Sequence, residues 1–268
     1  MKNYSSRAED YYLLRDLSRF SVNSDPFPHI VIQDPIVDSA YQSLVESFPK
    51  LDYFRNGKAL YSDGPENNKR YQMTQSNIIS STPEGHPWRL YTSINSSKLF
   101  FYDFLKIFND EIEKYYPGLN KKLSGINSIG MFQSDTFTAG GFDVLTHTSA
   151  DINSTPTSES CVRGPHLDQP DKLYFGLHYM RHDSEIAECG GGLILWKHKE
   201  RSKTRFYRGY REIPKEDLTI SSTIPYGKNL FIMGLNTIDS VHSVSERAVG
   251  ANVRKFSNSI SQLNFKLF

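Results

Sequence analysis

The sequence predicts an α+β protein that is mainly β, with flanking helices in the front half and a strand-rich back half. Two observations carry this. Apolar residues keep helical spacing as far as Pro117, and from Lys122 onward short strand-like pieces alternate with loops of Gly, Pro, Ser and Thr. Many short strands between turns favour a sandwich or barrel. A chain of 268 residues can bury a sizeable core and suits one domain over 1–268, helical over 1–121 and β over 122–268.

Taken in order, Ser6-Arg7-Ala8-Glu9 has capping-box spacing and predicts a first helix over Tyr11 to Phe20. A strand follows at His29–Gln33. Asp38 caps a second helix in which Tyr41, Leu44, Val45 and Phe48 form one apolar stripe, stopped by Pro49. The polar span Leu51 to Glu84, broken at Asn56-Gly57 and Asp63-Gly64-Pro65, reads as irregular chain that can border a site as a lid. After Ser97, the residues Phe101, Phe104, Leu105, Phe108, Ile112 and Tyr115 predict one long helix ended by Pro117-Gly118. That aromatic stripe belongs to a core and not to a cofactor box. In the back half, Ser149–Ser160 reads as a flexible loop, while Lys172–Arg181 and Asn229–Leu235 read as strands.

Composition sets bounds on function. A net charge of +1 offers no broad phosphate-binding surface and argues against nucleic acid or an anionic membrane as partner. The two cysteines, Cys161 and Cys189, make no disulfide framework. The start, Met1 to Phe20, lacks a signal-peptide core, and no stretch is long enough to span a bilayer. A cytoplasmic protein with no membrane partner is expected. The basic, aromatic-laced run Lys197 to Arg211 is of a kind that can grip single-stranded nucleic acid, although such runs more often form a solvated hairpin.

The chemistry-bearing pattern is His166-Leu167-Asp168 with a distant His242. Side chains at i and i+2 of a strand leave one face, so His166 and Asp168 can reach one ion while Leu167 points away. His242 stands just past the buried strand at 229–235 and supplies a second imidazole. Two imidazoles and one carboxylate suit non-haem Fe(II) with open positions. A lone H-x-D among eight histidines is weak evidence, and further residues must support it. Arg254 shares a strand face with Phe256, Asn258 and Ile260, where a guanidinium needs an anionic partner and suits a carboxylate. Tyr179 ends the apolar stripe Leu173, Phe175, Leu177, so its hydroxyl needs a partner too. His147-Thr148-Ser149 imitates the metal motif, but Ser149 brings no carboxylate.

Gly164-Pro165-His166-Leu167-Asp168-Gln169-Pro170, then Leu177-His178-Tyr179-Met180-Arg181, then Gly190-Gly191-Gly192-Leu193-Ile194-Leu195, then Ser240-Val241-His242-Ser243-Val244-Ser245-Glu246-Arg247, then Arg254, follow one another in this order. In that combination the chain resembles the Fe(II)- and 2-oxoglutarate-dependent oxygenases, in their prolyl-hydroxylase-like branch. The entry segment Asp25-Pro26-Phe27-Pro28-His29-Ile30-Val31-Ile32 extends the resemblance over nearly the whole chain. The stretches from Leu195 to Asn229 and from His242 to Arg254 are longer than in many relatives.

The resemblance implies a double-stranded β-helix, or jelly roll, with N-terminal helices packed on it. It also implies Fe(II) on His166, Asp168 and His242, with 2-oxoglutarate and dioxygen as co-substrates. Arg254, helped by Tyr179, would hold the distal carboxylate, and Arg247 is a possible substrate contact. The activity implied is hydroxylation of a proline or another C–H group in a peptide or small molecule. Two alternatives stay open: a non-catalytic jelly-roll module binding a sugar or peptide, and a nucleic-acid demethylating oxygenase using Lys197 to Arg211. The sequence leaves the primary substrate and the oligomeric state undetermined.

Overall fold

The computed structural model describes residues 7–51, 54, 59–61, 66–126, 128–131, 141–185, 189–200 and 212–268. Long-range pairing is built around strands that are buried on both faces and so lie inside a sheet. β5 (Val144–Asn153), β6 (Lys172–Met180), β9 (Lys228–Leu235) and β11 (Arg254–Leu263) are buried along almost their whole length. They form the middle of an eight-stranded sheet. With β1 (His29–Gln33), β2 (Ala59–Tyr61), β3 (Arg70–Met73) and β4 (Ile129–Met131), its order is β1-β9-β6-β11-β5-β3-β2, and β4 pairs with β5. A second sheet of β7 (Leu193–His198), β8 (Leu218–Ile224) and β10 (His242–Val244) runs β10-β7-β8. The architecture is a jelly roll with helices packed against it.

The two faces of the large sheet have different partners. Its outer face carries α1 (Asp38–Glu46), α2 (Gln75–Ser81), α3 (Pro87–Asn95), α4 (Lys98–Ile107), α5 (Asn109–Tyr115) and α6 (Leu119–Ser124). Trp88, Tyr91, Phe100, Phe104 and Phe108 from these helices share one core with Tyr174, Phe231 and Met233 of the sheet. The inner face turns Phe175, Tyr179, Ile232 and Phe256 toward Leu193, Leu195 and Ile224 of the small sheet. The candidate site lies in this second layer.

Several local expectations are corrected. Tyr11 to Phe20 forms no α-helix, only 3-10 turns at Ala8–Tyr11 and Leu17–Arg19. Tyr11, Tyr12, Leu13 and Leu14 are buried in succession, which a one-faced helix cannot achieve. Asn95 instead fixes this backbone, accepting from Leu13 N (2.9 Å) and donating to Tyr11 O (2.8 Å). The expected cap Ser6 lies outside the described residues. The long helix after Ser97 is two, α4 and α5, divided at Phe108, whose ψ of 15° closes one and opens the next.

The span Leu51 to Glu84, expected to be irregular, holds β2, β3 and α2. Tyr71 and Met73 face inward, and β3 pairs with β5. The front half therefore contributes strands as well as helices. The first residues of the supposed loop Ser149–Ser160 complete β5. Of the basic run, only Lys197 to Glu200 is described; Lys197 Nζ lies 2.6 Å from Asp25 Oδ1 and Lys199 Nζ donates to Glu216 O at 2.8 Å. Both cysteines are free thiols. Among the described residues, no helix is long and apolar enough to cross a membrane.

Candidate metal centre

His166 and Asp168 do not lie on a regular strand. His166 sits in a single bridge to His242, exchanging N–H···O bonds of 3.0 and 3.1 Å with it, and Asp168 follows in irregular chain. The alternation persists, because Leu167 is buried on the far side among Trp196, Ile213 and Val241. The bridge brings three ligand atoms, one each from His166, Asp168 and His242, within 4.8 Å of one another. This is the one such cluster among the described residues. His147 stands in β5, outside it.

Both imidazoles are oriented by their backbone. His166 Nδ1 is 2.8 Å from Gly164 O, and His242 Nδ1 is 2.9 Å from Ser240 O. A carbonyl only accepts, so Nδ1 carries the proton in each ring and Nε2 presents its lone pair. The His242 ring is clamped between Phe175, stacked at 4.5 Å, and His166 at 4.5 Å. Burial, reinforced by Arg163, holds both imidazoles below the usual histidine range and therefore neutral. For Asp168 burial acts upward, yet Lys172, the two histidines and Arg163 together hold its carboxyl well below the carboxylate range. Lys172 Nζ lies 3.4 Å from Asp168 Oδ1. Neutral imidazoles and an ionised carboxylate are the protonation states a metal requires, and this donor set fits non-haem Fe(II).

The trio opens on a cavity between the sheets, lined also by Phe175 and Leu177 of β6 and by Arg254, Phe256, Asn258 and Ile260 of β11. All four β11 residues expected on one face thus meet the cavity. Arg254 is 2% exposed. Its Nε donates to Gly191 O (2.6 Å) and its Nη1 to Asn153 Oδ1 (2.9 Å), while Nη2 is buried with no hydrogen-bond partner. Tyr179 lies against it, guanidinium carbon 5.0 Å from the ring centre, with its buried hydroxyl toward that guanidinium. Burial raises that phenol despite the neighbouring cation. The stranded Arg254 Nη2 beside the cavity is what a bound carboxylate would satisfy.

Arg247 does not join them. It is 2% exposed and does not border this cavity. Its guanidinium donates to Asn68 Oδ1 (2.6 Å), to Ser154 O (2.8 Å) and to Asn252 O. Burial and the nearby Arg254 lower it to about 10. Where a substrate contact was expected, Arg247 ties Asn68, Ser154 and Asn252 together.

The structure gives roles to three further residues here, of which only Gly191 stood in a motif of the sequence. Gly191, at φ +82°, lets the Arg254 stem pass, since a Cβ there would lie 2.9 Å from Arg254 Cδ. Arg70 reaches the cavity from β3 and is fixed by Asp151 Oδ1 at 2.7 and 2.9 Å. Lys172 was detectable only as a cation four positions after Asp168.

No family model matches the chain, and no curated protein matches it in sequence. Among solved structures it is similar to a Pseudomonas putida prolyl-4-hydroxylase (11% identity, TM-score 0.48, 95% of this chain and 98% of that one). It is also similar to a prolyl 4-hydroxylase from Phytophthora capsici (10% identity, TM-score 0.46, 98% of this chain and 66% of that one). A third is a non-haem α-ketoglutarate-dependent epimerase from nogalamycin biosynthesis (9% identity, TM-score 0.45, 87% and 78%). At such identities and TM-scores the likenesses carry no weight for chemistry, which must come from the side chains.

Proposed function

We propose that this chain is an Fe(II)- and 2-oxoglutarate-dependent oxygenase, one domain over residues 1–268, that hydroxylates a C–H group of a proline or another small-molecule or peptide substrate. One observation supports this above all. A His166/Asp168/His242 trio, two neutral imidazoles and one carboxylate, opens on the same cavity as a buried guanidinium whose Nη2 has no partner. A binding module for a sugar or peptide has no need of that pairing.

His166 and His242 would hold the metal through Nε2 and Asp168 through a carboxylate oxygen. Arg254 Nη2 and the Tyr179 hydroxyl would take the distal carboxylate of the co-substrate. When bound, Fe(II) and 2-oxoglutarate supply the oxidising chemistry, in which dioxygen is consumed, 2-oxoglutarate becomes succinate and carbon dioxide, and a substrate C–H bond becomes C–OH. The protein contributes fixed geometry. The Gly164 and Ser240 carbonyls prevent the imidazoles from turning, and Phe175, Leu177, Phe256 and Ile260 keep bulk water from the walls.

Anaerobic addition of Fe(II) and then 2-oxoglutarate to the full chain should give a weak visible charge-transfer band, and aerobic incubation should release succinate. A chain that binds neither would refute the reading.

A further inference from the structure

The cavity beside the metal trio has more positive charge than its expected contents can neutralise. Arg70, Arg163, Lys172 and Arg254 line it, against one acid, Asp168. Asp151 neutralises Arg70 from β5. A divalent ion, the Asp168 carboxylate, a dicarboxylate co-substrate and Arg254 cancel among themselves. Lys172 is outside this balance, with Arg163 also on the wall.

Its position makes that surplus functional. The Lys172 side chain is 14% exposed and its ammonium faces Asp168 Oδ1 at 3.4 Å. That same oxygen is the one 4.0 Å from His166 Nε2, the side on which a metal would sit. Ligation therefore draws on the one negative charge paired with Lys172 among the described residues, and a buried ammonium is costly without an anion.

Lys172 pairs with Gln262 and Tyr179 with Phe256 along β6 and β11, so Lys172 and Arg254 enter the cavity from opposite ends of this strand pair. Arg163 enters from the loop before His166 and lines the same cavity, adding positive potential near the trio.

We propose that the primary substrate is a small anion, bearing a carboxylate or phosphate group that Lys172 binds next to the metal. This rests on the oxygenase reading and names its substrate class. The anionic group anchors at Lys172, and the C–H bond to be oxidised lies between it and the trio.

The test uses the full chain loaded anaerobically with Fe(II) and 2-oxoglutarate, with the visible band as indicator and matched probes as ligands. N-acetyl-L-proline is compared with N-acetyl-L-prolinamide, and glycerol 3-phosphate with glycerol. The two pairs distinguish a carboxylate from a phosphate. At least one anion should perturb the band and bind about tenfold or more tightly than its neutral partner, the usual scale of one charge-assisted contact. Lys172→Arg, which keeps a cation beside Asp168, should keep both the band and the preference, and Lys172→Met should erase the preference in whatever fraction of the chain still forms the band. Should Lys172→Met fail to fold or to form the band, Arg163→Gln is the second variant and should weaken the preference. Indifference of all probes, or a preference that survives Lys172→Met, overturns the proposal alone; a wild-type chain that forms no band overturns it together with the oxygenase reading.

Discussion

Two buried arginines seven positions apart should fail in different ways when their donors are removed. Arg254→Met keeps the stem that packs on Phe256 and Tyr179 but deletes Nη2, the donor with no protein partner, along with the bonds to Gly191 O and Asn153 Oδ1, so it costs stability as well as the ligand contact. One charge-assisted hydrogen bond is worth about 1.5–3 kcal/mol, so 2-oxoglutarate should bind roughly 10- to 150-fold more weakly. Arg247→Met instead strands Asn68 Oδ1, Ser154 O and Asn252 O, all met by this guanidinium. Each unmet buried acceptor costs about 1–3 kcal/mol, so stability should fall by about 3 kcal/mol or more while co-substrate affinity in the folded fraction stays within about twofold. Calorimetric titration of 2-oxoglutarate into the anaerobic Fe(II) protein measures the first quantity and urea unfolding the second. Loss of co-substrate binding in Arg247→Met, with Arg254→Met binding normally, would show the two roles to be reversed.

Asp168→Ala and His242→Ala should each lower metal affinity by more than the roughly 10–100-fold that loss of an outer hydrogen-bond partner brings. Equilibrium dialysis reads this, and the far-ultraviolet spectrum should stay unchanged because the trio is local. Gly191→Ala places a Cβ 2.9 Å from Arg254 Cδ at φ +82°; it should cost about 1–3 kcal/mol of stability and weaken 2-oxoglutarate binding, which unfolding and titration curves report. Acid should destabilise the fold through His178, whose Nε2 donates to Asn229 Oδ1 and whose Nδ1 accepts from Tyr91 Oη. Burial lowers this imidazole from 6.5 to about 4, so between those values the unfolded chain binds the extra proton and stability rises with pH. As pH falls from 6.5 to about 4, about 3 kcal/mol should be lost through this one group. His178→Gln should flatten urea-unfolding stability over that window, and an unchanged slope would count against the assignment.

What could be read from residue order alone was chemistry that depends on type and local spacing. His166, Asp168 and His242 are few-choice residues for a metal. The stripe in Asp38–Glu46 and the cap at Ser97 follow from the 3.6-residue period and local hydrogen bonds. The apolar runs of β6 and β9 declared themselves because central strands bury both faces. What depends on partners distant in sequence was not legible. Asn95 overrode the helical pattern at Tyr11 by capturing its backbone from 84 residues away. β3 emerged from a polar span because β5 offered Asp151 to Arg70, 81 residues on. Arg247 and Arg254 look alike as letters. Tertiary structure separated them by giving one guanidinium three acceptors and leaving the other a bare nitrogen beside the cavity, since satisfying a buried donor is a property of everything folded around it.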